Sequence, residues 1–140
     1  MVALSLLDTD SLTLFQHGPS ILEERVTAAL PNGLAVTVIS VEEQLVGWQA
    51  FIRRTRTDAQ LAYAYQNLTN NVRTLSGIHI VTFSEAAIRR YNGLLAMKLN
   101  VGRMDLRIAA IALEENAVVI TRNLRDFGRV PGLACENWAD

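Results

Sequence analysis

Acidic side chains in four separated segments are the residues whose type and position could do chemistry. They follow or precede the predicted strands, at Asp8 with Asp10, at Glu43, at Asp105 and at Asp126. In open parallel sheets, sites form beyond the carboxyl ends of the strands, and the predicted topology brings these acids to that edge. Clustered carboxylates repel unless a cation intervenes. Oxygen ligation suits Mg²⁺ or Mn²⁺, which activate water and neutralise phosphoryl charge, so the pattern predicts metal-dependent phosphodiester hydrolysis.

Asp105 stands in the first turn of a predicted helix whose body is almost wholly apolar and small. Such a helix is buried rather than amphipathic. Its amino-terminus favours a negative charge, so a simple helix-start role is the alternative to a catalytic one. At about 100° per residue, Ala109 and Ala112 share the face of Asp105, while Arg107 and Glu114 lie opposite. The small side chains are expected to leave the carboxylate uncovered.

Glu42 and Glu43 can be separated by the same angular test. In the helix after Ser40, the apolar stripe consists of Val41, Leu45, Trp48 and Ile52. Glu42 falls beside this stripe, where water is expected, whereas Glu43 falls opposite it on a small-sided face with Gly47 and Ala50. Ser40 is the expected N-cap, with Glu43 completing a capping box. Glu43 is therefore the candidate that a ligand could approach.

No competing catalytic set is visible. The chain has no glycine-rich phosphate loop with its lysine, no G-x-S-x-G elbow and no Cys/His zinc cluster. The single Cys135 suits a reducing compartment and is expected to pack as a small hydrophobe. The net charge of −1 does not indicate nucleic-acid binding, although 12 of the 13 cationic side chains are arginines, which bind phosphate bidentately. Taken singly, each acid also has a bland explanation as a cap, a turn residue or an exposed charge.

The elements that must position these acids alternate along the chain. Apolar strands are predicted at residues 3–7, 34–39, 78–81 and 117–120, with a final extended piece after Leu133. Helices are predicted at residues 21–30, 57–75 and 85–99, with chain breaks at residues 18–20 and a turn at 31–33. Tyr63 and Tyr65 are expected to pack. The pattern predicts one domain, residues 1–140, with an α/β fold: a three-layer α/β/α sandwich around a mostly parallel sheet.

Four pieces of the sequence, in this order and spacing, resemble a known family. They are Leu6-Leu7-Asp8-Thr9-Asp10, Ile39-Ser40-Val41-Glu42-Glu43-Gln44-Leu45-Val46-Gly47, Asp105-Leu106-Arg107-Ile108-Ala109-Ala110 and Thr121-Arg122-Asn123-Leu124-Arg125-Asp126-Phe127. Over essentially its whole length the chain resembles a PIN-domain ribonuclease of the VapC toxin type.

The resemblance implies a cytoplasmic, Mg²⁺- or Mn²⁺-dependent endoribonuclease that acts on structured RNAs such as tRNA or rRNA. It also implies a homodimer and a cognate antitoxin protein that occupies the active-site groove. By motif, Asp8, Glu43, Asp105 and Asp126 correspond to the acidic metal site, Glu43 because it lies four residues before Gly47.

Two positions depart from the family pattern. The first motif usually ends in Asn, but here it ends in Asp10, which either joins the site or faces solvent. Many PIN domains have an acid where Asn123 stands, so the fourth ligand role falls to Asp126, with Asn123 positioning a water or phosphate. The resemblance further suggests that Thr121 supports this turn by hydrogen bonding and that Arg122 and Arg125 contact RNA phosphate or remain surface residues.

Two other interpretations compete with this one. The strand followed by Asp8-Thr9-Asp10 also resembles the start of haloacid-dehalogenase-like phosphatases, in which the first Asp is a nucleophile and the second an acid or base. That family needs a later lysine and a further acidic pair, and Lys98 is the only lysine. The other alternative is a non-catalytic PIN-like module that binds RNA or protein.

Overall fold

The computed structural model describes residues 3–17, 21–30 and 33–140. Strands and helices alternate in the order β1 (Ser5–Leu7), α1 (Thr9–Gln16), α2 (Ile21–Ala29), β2 (Leu34–Thr37), α3 (Val38–Arg54), α4 (Asp58–Ser76), β3 (His79–Val81), α5 (Glu85–Ala96), α6 (Arg103–Glu114), β4 (Val118–Ile120), α7 (Leu124–Phe127) and β5 (Ala134–Glu136). The predicted break at residues 18–20 and the turn residues 31–32 lie outside the described part of the chain.

The sheet has five strands in the order β3-β2-β1-β4-β5, and every neighbouring pair is parallel. β1 occupies the centre, with Leu7 opposite Val36 of β2 and Ile120 of β4. The carboxyl ends of these three strands therefore meet at one edge. The predicted α/β/α sandwich is confirmed, and its sheet is wholly parallel.

Both faces of the central strands β1, β2 and β4 are covered, which explains why these strands are largely apolar, whereas the edge strands β3 and β5 carry the exposed His79 and Glu136. Leu6 points to one face, where it packs in a core with residues of α5, α6 and α7. Leu7 points to the other face, into a core that includes residues of α1, α2 and α4. Six of the eight residues 106–113 of α6 are buried, all but Arg107 and Leu113, as the apolar pattern predicted.

Helix α3 begins earlier than the sequence pattern suggested. The second strand ends at Thr37, and the expected N-cap at Ser40 is wrong, because the buried Thr37 hydroxyl accepts the Ser40 N–H at 3.3 Å. Glu43 therefore lies in the second turn of the helix and completes no capping box. The Ser40 hydroxyl is left to bond a side chain of α1.

One other feature of the helical layers differs from expectation. α5 ends at Ala96, because Lys98 and Asn100 adopt positive φ angles that end the helix before the predicted Leu99. Tyr63 packs edge to face against the Phe51 ring, as expected, although Tyr63 and Tyr65 remain 63% and 53% exposed. No helix within residues 3–17, 21–30 and 33–140 is long and apolar enough to cross a membrane.

Candidate functional site

Asp8 connects the central strand to α1 and is held from both sides. Its backbone N–H donates to the Ile120 carbonyl at 3.0 Å, which continues the pairing of β1 with β4. Its carboxylate is the N-cap of α1 and accepts the Ser11 N–H at 2.8 Å. Burial raises the pKa of Asp8, while hydrogen bonds from Thr121 and Ser11 oppose that rise. This carboxylate is fixed in place at the sheet edge.

Glu43 approaches the same edge from α3 and is oriented by Thr9. The Thr9 hydroxyl donates to Glu43 Oε1 at 2.5 Å and lies 2.9 Å from the Ser40 hydroxyl. Because the Thr9 proton goes to Glu43, Ser40 is the donor in the second bond. Glu42 is exposed on the neighbouring face, whereas Glu43 is only partly exposed, as the angular test predicted.

Asp105 enters from the third side, in the first turn of α6. Burial is the largest cause of a rise in its pKa from 3.8 to about 6. The negative charges of Asp8, Glu43 and Asp126 add to that rise. Ala109 and Ala112 lie on the same face of the helix as Asp105 and are fully buried. The next turns of that face therefore carry only methyl groups. Asp105 is thus an acid in a mutually repelling cluster.

These three acids line one open cleft of about 500 Å³, together with Thr9, Asp10, Arg122 and Asn123. The N-cap of α1 and the helices α3 and α6 each supply an acid, so residues almost 100 positions apart in the chain meet there. The cleft has the size and polarity to admit a charged group rather than an apolar ligand.

Asp126 belongs to a turn beside the cleft. Asn123 caps this turn: its amide donates to Asp126 Oδ2 at 2.9 Å, and its Oδ1 accepts the Asp126 N–H at 3.2 Å. Arg129 lies 3.3 Å from Asp126 Oδ1. The buried Thr121 hydroxyl accepts the Asn123 N–H at 2.8 Å and also bonds Asp8. Asp126 therefore couples to Asp105 through its charge but is partly neutralised by an arginine.

Asp10 is paired rather than free. Arg122 donates two hydrogen bonds to its carboxylate, from Nε to Oδ2 at 2.9 Å and from Nη2 to Oδ1 at 3.0 Å. The extra acid of the first motif therefore lines the cleft with its charge already matched, and Arg122 is its partner. Arg125 is exposed and, among the described residues, does not line the cleft.

The donor set of this cleft fits a hard divalent cation. Its potential ligands are carboxylate oxygens, and the pKa of Asp105 is raised first by burial and then by the negative charges of Asp8, Glu43 and Asp126. Within the described part of the chain, no three Asp, Glu, His or Cys side chains are arranged to enclose one ion. Mg²⁺ does not require such a cage, because it keeps several waters and is usually held by one or two carboxylates together with substrate phosphate.

Comparison with known proteins shows which proteins this chain resembles. No protein-family model matches the chain. Ribonuclease VapC1 of Haemophilus influenzae strain R2866 is 29% identical over 143 residues, covering 95% of this chain and 96% of the relative. The solved structure of VapBC-1 from nontypeable Haemophilus influenzae covers 98% of this chain and 99% of its own, at 28% identity and a TM-score of 0.71. The chain is therefore similar, over nearly its whole length, to VapC-type ribonucleases.

A shorter match within the VapC family concerns the tRNA(fMet)-specific endonuclease VapC of Salmonella typhimurium strain LT2. It is 47% identical over 38 residues, which is 27% of this chain and 29% of that protein.

Thr9 is a residue of this acidic site that the sequence did not reveal. Its role depends on the side chain of Glu43, 34 positions away, and no local pattern signals that contact. We expect Thr9→Val to lower RNA cleavage about tenfold, because Glu43 loses the bond that orients it. Thr9→Ser keeps the hydroxyl and should stay within about threefold of the wild type in the same kinetic assay. Equal losses in both variants would contradict this role.

Proposed function

We propose that this chain is a metal-dependent endoribonuclease that hydrolyses RNA phosphodiester bonds as the toxin of a toxin–antitoxin pair. One observation carries the catalytic part: acids from the N-cap of α1, from α3 and from α6 line a single cleft, where burial and then their charges raise the pKa of Asp105 to about 6. A fold does not acquire such repulsion for stability, so the cluster is best explained by a cation that it holds during function.

Asp8 and Asp105 are the residues placed to hold Mg²⁺ or Mn²⁺, with Glu43 and Asp126 completing or orienting the site. When bound, such a cation activates water and stabilises charge on the phosphoryl group. Ser11 and Thr121 keep the Asp8 carboxylate fixed, and Thr9 keeps Glu43 aimed at the cleft. The pairing of Asp10 with Arg122 limits the negative charge that an incoming phosphate meets.

The phosphatase alternative lacks its partners in this cleft. Asp10, which would act as its acid or base, is held by two bonds to Arg122. Lys98 is exposed beyond the end of α5 and does not line the cleft. Trapping a covalent phosphate on Asp8 would revive this mechanism.

The substrate and partners follow from the family. VapC-type relatives carry names that describe ribonucleases, one of them specific for a tRNA, and a solved relative is a VapBC assembly. We therefore extend to this chain an RNA substrate such as tRNA, a cognate antitoxin, a homodimeric state and a cytoplasmic location.

The test is cleavage of purified tRNA and rRNA by the purified chain. We expect defined RNA ends with Mg²⁺ or Mn²⁺, no cleavage with excess EDTA, and recovery when the metal is returned. Sequencing the ends produced by the wild type against Asp105→Asn identifies the cleaved bond and excludes contaminating nucleases. Cleavage that persists in EDTA would remove the metal from the proposal.

A further inference from the structure

A second groove lies beyond the acidic cleft, between α1 and α3. It is lined by Thr13, Gln16 and the C-cap His17 on the side of α1, and by Gln44, Gly47, Trp48, Phe51 and Arg54 of α3. It holds about 260 Å³ and opens to solvent. Farther along, Phe51 and Arg54 also line the next depression, beside Thr55 and Gln60. The grooves therefore follow one path along α3.

This groove lies one helical turn beyond the acidic cleft along the same two helices, and Gln44 of α3 bonds Thr13 and Gln16 of α1 across it. Thr13 lies one turn beyond Thr9 on α1, and its hydroxyl donates to the Thr9 carbonyl at 3.0 Å. Gly47 lies one turn beyond Glu43 on α3, and a Cβ added at Gly47 would meet no atom within 4 Å. An extended ligand bound at Glu43 can therefore pass over Gly47 to reach Arg54.

Arg54 shares the face of Glu43, whereas its neighbour Arg53 does not. Eleven residues of helix rotate by about 20° beyond whole turns, so Arg54 lies nearly in line with Glu43 about 17 Å away. By the same rotation, Arg53 aligns with the exposed Glu42. That distance spans about five nucleotides at a stacked spacing of about 3.4 Å, and fewer in an extended strand.

The chemistry of the groove suits a single-stranded nucleic acid. Among the described residues, Arg54 has no carboxylate partner, and its guanidinium lies 5.9 Å from the centre of the Phe51 ring. Trp48 and Phe51 meet edge to face with their centroids 5.8 Å apart. Aromatic faces stack bases regardless of sequence, and a free guanidinium binds phosphate. With a net charge of −1, the molecule depends on such local cations for RNA contact.

We propose that this groove binds the single-stranded segment of RNA that continues from the cleaved phosphate, with Arg54 holding a phosphate a few nucleotides away. The inference rests on the proposed ribonuclease function and names the form of substrate that the site accepts. It also makes Arg54, rather than the adjacent Arg53, the cation that extends the acidic cleft.

The two arginines form a matched pair for the test. Fluorescence anisotropy measures binding of labelled RNAs of about 4 and about 12 nucleotides, with the same repeating sequence, to the Asp105→Asn protein in Mg²⁺. We expect Arg54→Gln to weaken binding of the longer RNA about tenfold and to flatten its log K against log salt plot by about 0.7. The shorter RNA should change by less than about twofold, and Arg53→Gln should leave both nearly unchanged.

Gly47 provides an independent pair. Gly47→Ala adds only a methyl group, whereas Gly47→Leu places a branched side chain in the path between the cleft and Arg54. Both substitutions suit the helix better than glycine, so folding is preserved. We expect Gly47→Leu to weaken binding of the longer RNA and Gly47→Ala to leave it unchanged.

The proposed RNA-binding role of the groove is contradicted if the longer RNA does not bind, or if Arg53→Gln and Arg54→Gln weaken its binding equally. It is also contradicted if Arg54→Gln weakens binding of the short RNA as much as that of the longer one. A fall in the molecular mass of the protein in solution with Arg54→Gln would instead assign this face to contact with a second copy of the chain. Cleavage of the longer RNA by the otherwise unchanged chain tests the enzyme separately. Binding of the longer RNA without cleavage would contradict only the proposed ribonuclease function. Cleavage that Arg54→Gln and Gly47→Leu leave unchanged would contradict only the proposed RNA-binding role of the groove.

Discussion

Asp105→Asn is expected to lower kcat/KM for RNA by about 10²–10³-fold, the range for removing one group that stabilises transition-state charge. The same substitution should raise the free energy of unfolding at pH 7 in EDTA. The opposite signs arise at one carboxylate, because the group that would hold the cation is buried and is also repelled by its neighbours when no cation is present. A simple helix-start acid would not show the loss of cleavage.

The raised pKa of Asp105 determines how the stability of the protein changes with pH. Burial and the neighbouring acids raise the pKa of Asp105 from 3.8 to about 6, so the folded protein binds this proton more tightly than the unfolded chain. Ionisation therefore destabilises the fold: the penalty is absent below about pH 4, grows towards pH 6 and is complete above it. Its upper bound is about 3 kcal/mol, and water in the open cleft reduces the expected gain of Asp105→Asn to about 1–2 kcal/mol.

Urea unfolding at several pH values between 4 and 8 measures this gain, with RNA cleavage assayed on the same preparations. Glu42→Gln is the matched control, since Glu42 is exposed on α3 outside the cleft and should change neither property. Adding Mg²⁺ should stabilise the wild type more than Asp105→Asn. A variant that is less stable than the wild type at pH 7 but cleaves RNA normally would show that Asp105 serves only the helix.

The sheet and the principal acids were accessible from the sequence because their signals are local. Continuous apolar strands such as residues 117–120 indicate a sheet covered on both faces, and an apolar α6 indicates a buried helix. The choice of Glu43 over Glu42 needed only the helical period. Each of these inferences uses residues within one element, where spacing alone determines the face.

The features that escaped prediction depend on contacts between elements. Thr37 rather than Ser40 caps α3, because the strand ends as soon as its threonine can bond the helix, and both residues are acceptable caps by type. The pairing of Asp10 with Arg122 joins residues 112 positions apart. Whether Asp10 would join the acids or face solvent was therefore undecidable from spacing. Tyr63 is 63% exposed although its ring meets that of Phe51 edge to face, and amino-acid type does not reveal how much of a packed side chain stays in water.

Asp8 gives the second large effect, and two substitutions separate its two roles. Asp8→Asn is expected to lower RNA cleavage about 10²–10³-fold, because an amide is a weaker ligand for a divalent cation than a carboxylate. Its stability in EDTA at pH 7 should equal or exceed that of the wild type. The amide oxygen still accepts the Ser11 N–H, and burial, which raises the pKa of Asp8, no longer opposes a charge.

Asp8→Ala removes the cap as well as the charge. The Ser11 N–H, now buried without its acceptor, should make this variant about 1–2 kcal/mol less stable than Asp8→Asn, while its cleavage falls by a similar factor. Ser84→Ala, which removes the N-cap of α5 outside the cleft, controls for cap loss and should keep full activity at reduced stability. If Asp8→Asn cleaves like the wild type and only Asp8→Ala fails, Asp8 is a helix cap and the cation must be held by Glu43 and Asp105.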